Sequence, residues 1–122
     1  MSSQTDFSPV FEELKSILKP FAPKLTLTAD TKEIFSIDGP YSEKWKRVLF
    51  FASAQVKKNY VSFYLMPVYM YPDLLNGISP ELKKRMQGKS CFNFKKVEPD
   101  LLKELASLTK KSFERFKKEN AL

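Results

Sequence analysis

Two short segments constrain this chain more than anything else in it. They are Lys57-Lys58-Asn59-Tyr60-Val61-Ser62-Phe63-Tyr64-Leu65-Met66-Pro67 and Gly88-Lys89-Ser90-Cys91-Phe92-Asn93-Phe94-Lys95-Lys96. Apolar side chains alternate in both with hydroxyls, amides and tyrosines. Period two is the mark of a strand with one face in a core and the other turned away from it. Val61, Phe63 and Leu65 share one parity, and Tyr60, Ser62, Tyr64 and Met66 the other. Phe92 and Phe94 share a parity too, which places both in the core. The pattern predicts a sheet with an apolar underside and an upper face of mixed aromatic, amide, hydroxyl and ammonium groups.

Other segments extend that sheet. Leu25, Leu27 and Ala29 alternate with Thr26 and Thr28, and Ile34 to Ile37 forms a second strand. Asp38-Gly39-Pro40 breaks the second strand, since glycine and proline both favour turns. Arg47 to Val56 reads as a third strand with Val48, Phe50, Ala52 and Ala54 on its core face. Lys57-Lys58-Asn59 is a hairpin turn. Pro67 ends the fourth strand or makes it an edge.

Helices flank these strands. Ser8-Pro9 supplies a capping hydroxyl and a proline where no N–H is needed. Val10, Phe11, Leu14, Ile17 and Leu18 then form one stripe at helical spacing, until Pro20 and Pro23 stop it. Pro72 to Gly77 and Ser79 to Met86 read as short helical turns. Glu98-Pro99 opens a last helix with Leu101, Leu102, Leu105, Leu108, Phe113 and Phe116 on its apolar side. The expected class is α+β: an antiparallel sheet of about five strands flanked by an N-terminal helix, short connecting helices and a C-terminal helix. At 122 residues the chain is one domain, spanning 1–122.

Composition removes several chemistries. The chain has no histidine and one cysteine. Ser-His and Cys-His nucleophile pairs, histidine metal sites and internal disulfides are therefore excluded within one chain. Cys91 sits among apolar strand residues and reads as a small core residue. Gly88-Lys89-Ser90 resembles the end of a phosphate loop, but position 83 is Lys83 where that loop needs glycine, and a strand follows where it needs a helix. No residue set specifies a reaction, and no cofactor is expected. The first residues contain no basic region followed by an apolar stretch, so the expected location is the cytosol, and no run is long enough to span a membrane.

Charge is uneven. Residues 1–78 carry 9 basic and 8 acidic side chains, while residues 79–122 carry 12 and 6. That asymmetry favours anionic partners. On the upper sheet face, parity gathers Ser53, Gln55, Ser62, Tyr64, Asn93 and Lys95, and Phe51 shares the parity of the first two. Tyrosines supply flat apolar area with a polar tip, and an ammonium holds an anion. These six residues are the candidate ligand-binding set. The expected function is non-catalytic binding of a small anionic or aromatic molecule or of a protein partner, by a monomer or homodimer. Nucleic-acid binding through the basic last third is the alternative the charge suggests.

The segments from Lys57 to Pro67 and from Ile78 to Lys95 resemble the YdhG-like domain family. This is a group of small bacterial proteins mostly carried as a domain of unknown function. The likeness extends loosely from the first helix to the last. It implies a compact antiparallel sheet flanked by helices and implies no functional residues. Some relatives are linked to frataxin-like iron delivery, which makes an iron chaperone a further alternative. Such iron binding relies on an acidic surface, whereas this chain is basic.

Overall fold

The computed structural model describes residues 7–43 and 46–120. Residues 1–7, which lack apolar periodicity and read from the sequence as a loose end, lie outside the described residues except for Phe7. The chain runs α1 (Ser8–Leu18), β1 (Thr26–Asp30), β2 (Ile34–Ser42), β3 (Arg47–Val56), β4 (Val61–Leu65), α2 (Met66–Met70), α3 (Pro80–Lys83), β5 (Cys91–Phe94) and α4 (Pro99–Asn120). The five strands form one antiparallel sheet in chain order, each hydrogen-bonded to the next. Helices α1 and α4 cover one face. The α+β architecture is thus the one the alternation predicts.

Cross-strand register explains the core. Ala54 pairs with Phe63 and Phe63 with Phe92, while Val56 pairs with Val61 and Val61 with Phe94. These rows lie under the helices, where Phe63, Phe92, Phe94 and Leu65 are fully buried against Phe11, Leu14, Leu105 and Phe116. Side chains of opposite parity emerge on the other face, in the rows Ser36–Ser53–Tyr64–Cys91 and Ile34–Gln55–Ser62–Asn93.

Two bulges in the β2–β3 ladder correct the sequence reading. Ile37 pairs with Ala52 but Asp38 pairs with Phe50, so Phe51 is an extra residue. A bulge turns the strand and puts neighbouring side chains on one face. Phe51 therefore enters the helix-covered core rather than the upper face. There it sits 5.5 Å from the Phe116 ring and 5.8 Å from Phe113. Leu49 follows it into the core, and Val48, expected inside, is 53% exposed. The second shift, between Asp38 and Tyr41, undoes the first. Asp38-Gly39-Pro40 thus does not end β2, which continues to Ser42.

Smaller corrections concern the helices. Phe7, not Ser8, holds the N-cap position of α1, and no side chain caps it there. Pro20 and Pro23 end the α-helix but not the helical path, which tightens into a 3-10 stretch over Lys19–Lys24. Met66, expected in the fourth strand, instead opens α2 with Pro67 in its first turn, and β4 is an interior strand. Ser79 does cap α3, accepting a bond from the Leu82 N–H. No described helix is long and apolar enough to cross a membrane.

Candidate functional site

The upper face is built by β3, β4 and β5. Ser53 and Gln55 come from β3, Ser62 and Tyr64 from β4, and Asn93 from β5, in adjacent rows of the ladder. The face is less open than a plain solvated sheet. Ser53 and Ser62 are buried, and Gln55, Tyr64 and Asn93 are half-buried. Longer neighbours cover the hydroxyls, and hydrogen bonds satisfy them. Gln55 Nε2 donates to Ser53 Oγ at 3.0 Å, and Lys57 Nζ donates to Gln55 Oε1 at 3.0 Å. The same ammonium lies 5.7 Å from the Tyr64 ring centroid, a cation–π distance.

Across the next strand pair, Ser62 Oγ donates to Asn93 Oδ1 at 2.7 Å. Asn93 Nδ2 passes the chain on to Gln87 Oε1 at 2.6 Å. Cys91 is not a core residue. It pairs with Tyr64 on this face, half-buried, with Sγ 3.3 Å from Asn93 Oδ1. Burial pushes its thiol up from the ordinary value, against the opposing pull of Ser62, Lys57 and Tyr64. Its bonded neighbours are hydroxyls and an amide, none of them a base at neutral pH. The centre of the face is self-satisfied, and its free capacity lies at the β5 end.

At that end, Gln87 N–H donates to Cys91 O and Asn93 N–H to Arg85 O, at 2.9 and 2.7 Å. These bonds lay the segment after α3 along the outer edge of β5. They bring Arg85 and Gln87 beside Asn93, although the sequence separates them by six to eight residues. A cleft of about 890 Å³ opens here. Its walls carry Tyr60, Asn93 and the cations Lys84, Arg85, Lys95 and Lys96, against the single carboxylate of Glu98. Lys95 lies one residue past β5, so it belongs to this cleft rather than to the ladder of the other five.

One ion pair organises the wall. Arg85 Nε donates to Glu98 Oε1 at 2.9 Å and Nη2 to Oε2 at 2.6 Å, the parallel geometry that suits a guanidinium and a carboxylate. Arg85 beside it holds the Glu98 carboxyl below its usual range, and Lys96 adds a smaller pull in the same direction. Glu98 in turn raises the Arg85 guanidinium. Among the described residues, Lys84 and Lys95 have no carboxylate partner. Lys84, Arg85 and Glu98 also border a second cleft, of about 710 Å³, whose other walls carry Ser79, Glu81, Asp100 and Glu104. Glu104 is occupied there, accepting from the Ser79 N–H and Oγ, both at 2.6 Å.

Of the six sequence candidates, the structure brings Asn93 and Lys95 to the basic cleft and leaves the other four in the face behind it. Lys84, Arg85, Gln87 and Lys96 escaped the sequence reading. Their only signal was the clustering of cations in Lys83-Lys84-Arg85 and Lys95-Lys96. Among the described residues no group of three or more cysteine, aspartate or glutamate side chains is placed to hold a metal ion. No protein-family model matches the chain, and no curated protein or solved structure matches it either.

Proposed function

We propose that this chain is a non-catalytic binding module for a small anionic ligand, held in the cleft bordered by the β3–β4 turn, the end of β5 and the segment that follows α3. The observation that carries this reading is the imbalance of the wall: four cations face one carboxylate in a concave space of ligand size. Tyr60 adds flat apolar surface for a ring, and Asn93 adds an amide already oriented by Ser62. The YdhG-like resemblance agrees with the α+β architecture and contributes nothing to the choice of ligand. The α4 lysines Lys103, Lys110, Lys111, Lys117 and Lys118 are exposed on the solvent side of that helix and line neither cleft.

A ligand that binds only the folded state must raise its melting temperature. A thermal-shift screen of anionic metabolites at low ionic strength should therefore give at least one saturable increase. That increase should vanish in Lys84→Glu/Lys95→Glu, a variant whose two sites are exposed and outside the core. A flat response across the panel, or a shift that survives the double charge reversal, refutes the reading.

A further inference from the structure

Resting on that reading of the cleft, we infer that its ligand carries a terminal phosphoryl group taken by Arg85, and that Glu98 is the residue that positions Arg85 for it. A guanidinium has five N–H donors in a rigid fork. Glu98 engages one side of that fork, the Nε and Nη2 edge. The two protons of Nη1 and the second proton of Nη2 have no protein partner among the described residues. They form a second, end-on edge of the kind that grips two oxygens of one oxyanion. Using it leaves the Arg85–Glu98 pair intact. A ligand that displaced Glu98 would instead strand a half-buried carboxylate whose side chain is only 16% exposed. The first arrangement is favoured for that reason.

Charge selects the kind of anion. The cleft holds Lys84, Arg85, Lys95 and Lys96 against Glu98, a surplus of three positive charges. A phosphomonoester brings close to two negative charges at neutral pH. A carboxylate brings one, as does each phosphate of a nucleic-acid backbone. Lys84 and Lys95, without carboxylate partners, are compact point charges suited to the remaining phosphoryl oxygens. Asn93, its carbonyl engaged by Ser62 and its amide by Gln87, closes the inner wall of the cleft.

The test titrates the full chain with inorganic phosphate, a sugar phosphomonoester, a phosphodiester oligonucleotide and acetate, at fixed ionic strength, by calorimetry and by NMR of the arginine side chains. Phosphate and the monoester should bind saturably and shift the Arg85 resonances. Acetate, which lacks the third oxygen, should bind at least about tenfold more weakly, one charge-assisted hydrogen bond being lost. Tighter binding by the oligonucleotide overturns the monoester assignment and points to a nucleic-acid backbone. Arg85→Lys, which keeps the charge and loses the fork, should weaken the monoester about tenfold. Glu98→Gln decides the positioning role. It adds one positive charge to the cleft, so a merely basic patch would bind the monoester more tightly. Loss of orientation weakens it several-fold instead, and tighter or unchanged binding in this variant overturns the proposal. Should Glu98→Gln fail to fold, the Arg85 resonances of the unmodified chain decide, since phosphate binding that leaves them unmoved is equally fatal. If other anions raise the melting temperature while phosphate and the monoester do not bind, the cleft reading survives and the phosphoryl assignment falls.

Discussion

Gly39 shows how single positions carry the architecture. It is buried in β2, and a Cβ built there would lie 2.6 Å from both Cε2 and Cζ of Phe116 and 3.2 Å from the Leu49 carbonyl oxygen. The requirement is space for an aromatic ring of α4, not backbone freedom. Gly39→Ala should lower stability by about 1–3 kcal/mol, the usual range for overpacking a filled core. Denaturant melts of the purified variant check it, and an unchanged midpoint would mean that Phe116 moves aside at no cost. Composition marked Gly39 as a breaker because glycine usually signals a turn. Its partner lies 77 positions away, and no local pattern reports that. Phe51 was misplaced on the upper face for a related reason. Parity along β3 is interrupted by one unpaired residue, and a bulge leaves no trace in the alternation of a run as apolar as Val48 to Ala52.

At the scale of elements, β4 and β5 were the most legible, because Val61, Phe63, Leu65, Phe92 and Phe94 alternate cleanly and each is buried. The attachment of α3 to α4 was not legible. It rests on Ser79–Glu104 and Arg85–Glu98, contacts between groups 25 and 13 residues apart. The second of these makes a pH prediction. Glu98 has a folded value below the ordinary 4.5, owing first to the bond from Arg85. Stability from a depressed carboxylate is complete above the unfolded value and is lost as pH falls through the folded one. Solvent over Arg85, 34% exposed, keeps the contribution on the order of 1 kcal/mol. The melting temperature of Glu98→Gln should therefore lie below that of the unmodified chain at neutral pH. The gap should close on acidification below 4.5, as Glu98 itself takes up a proton. A gap that is constant with pH would show that the lost hydrogen-bond geometry, and not the charge, is responsible.

For the whole molecule, the issue is whether its net charge of +7 or the placement of a few cations directs it to an anion. A smooth field from α4 would respond to any change of charge, whereas a cleft responds to its own walls. Lys110→Glu/Lys111→Glu, two exposed positions on α4, removes as much charge as Lys84→Glu/Lys95→Glu. It should leave ligand-induced thermal shifts nearly unchanged, and equal loss in both double variants would assign binding to the overall field. The amino-acid order by itself determined the class of this fold, the two flanking amphipathic helices and the apolar side of the central strands. Those follow from periods of two and 3.6, which are local and readable over a few residues. It also determined the absence of histidine chemistry. Only the tertiary structure decided which residues meet at the β5 edge. The bonds from Gln87 to Cys91 and from Asn93 to Arg85 fold one basic run against another. Contacts of this kind depend on the path of the loop that joins the elements, and side-chain periodicity carries no information about that path.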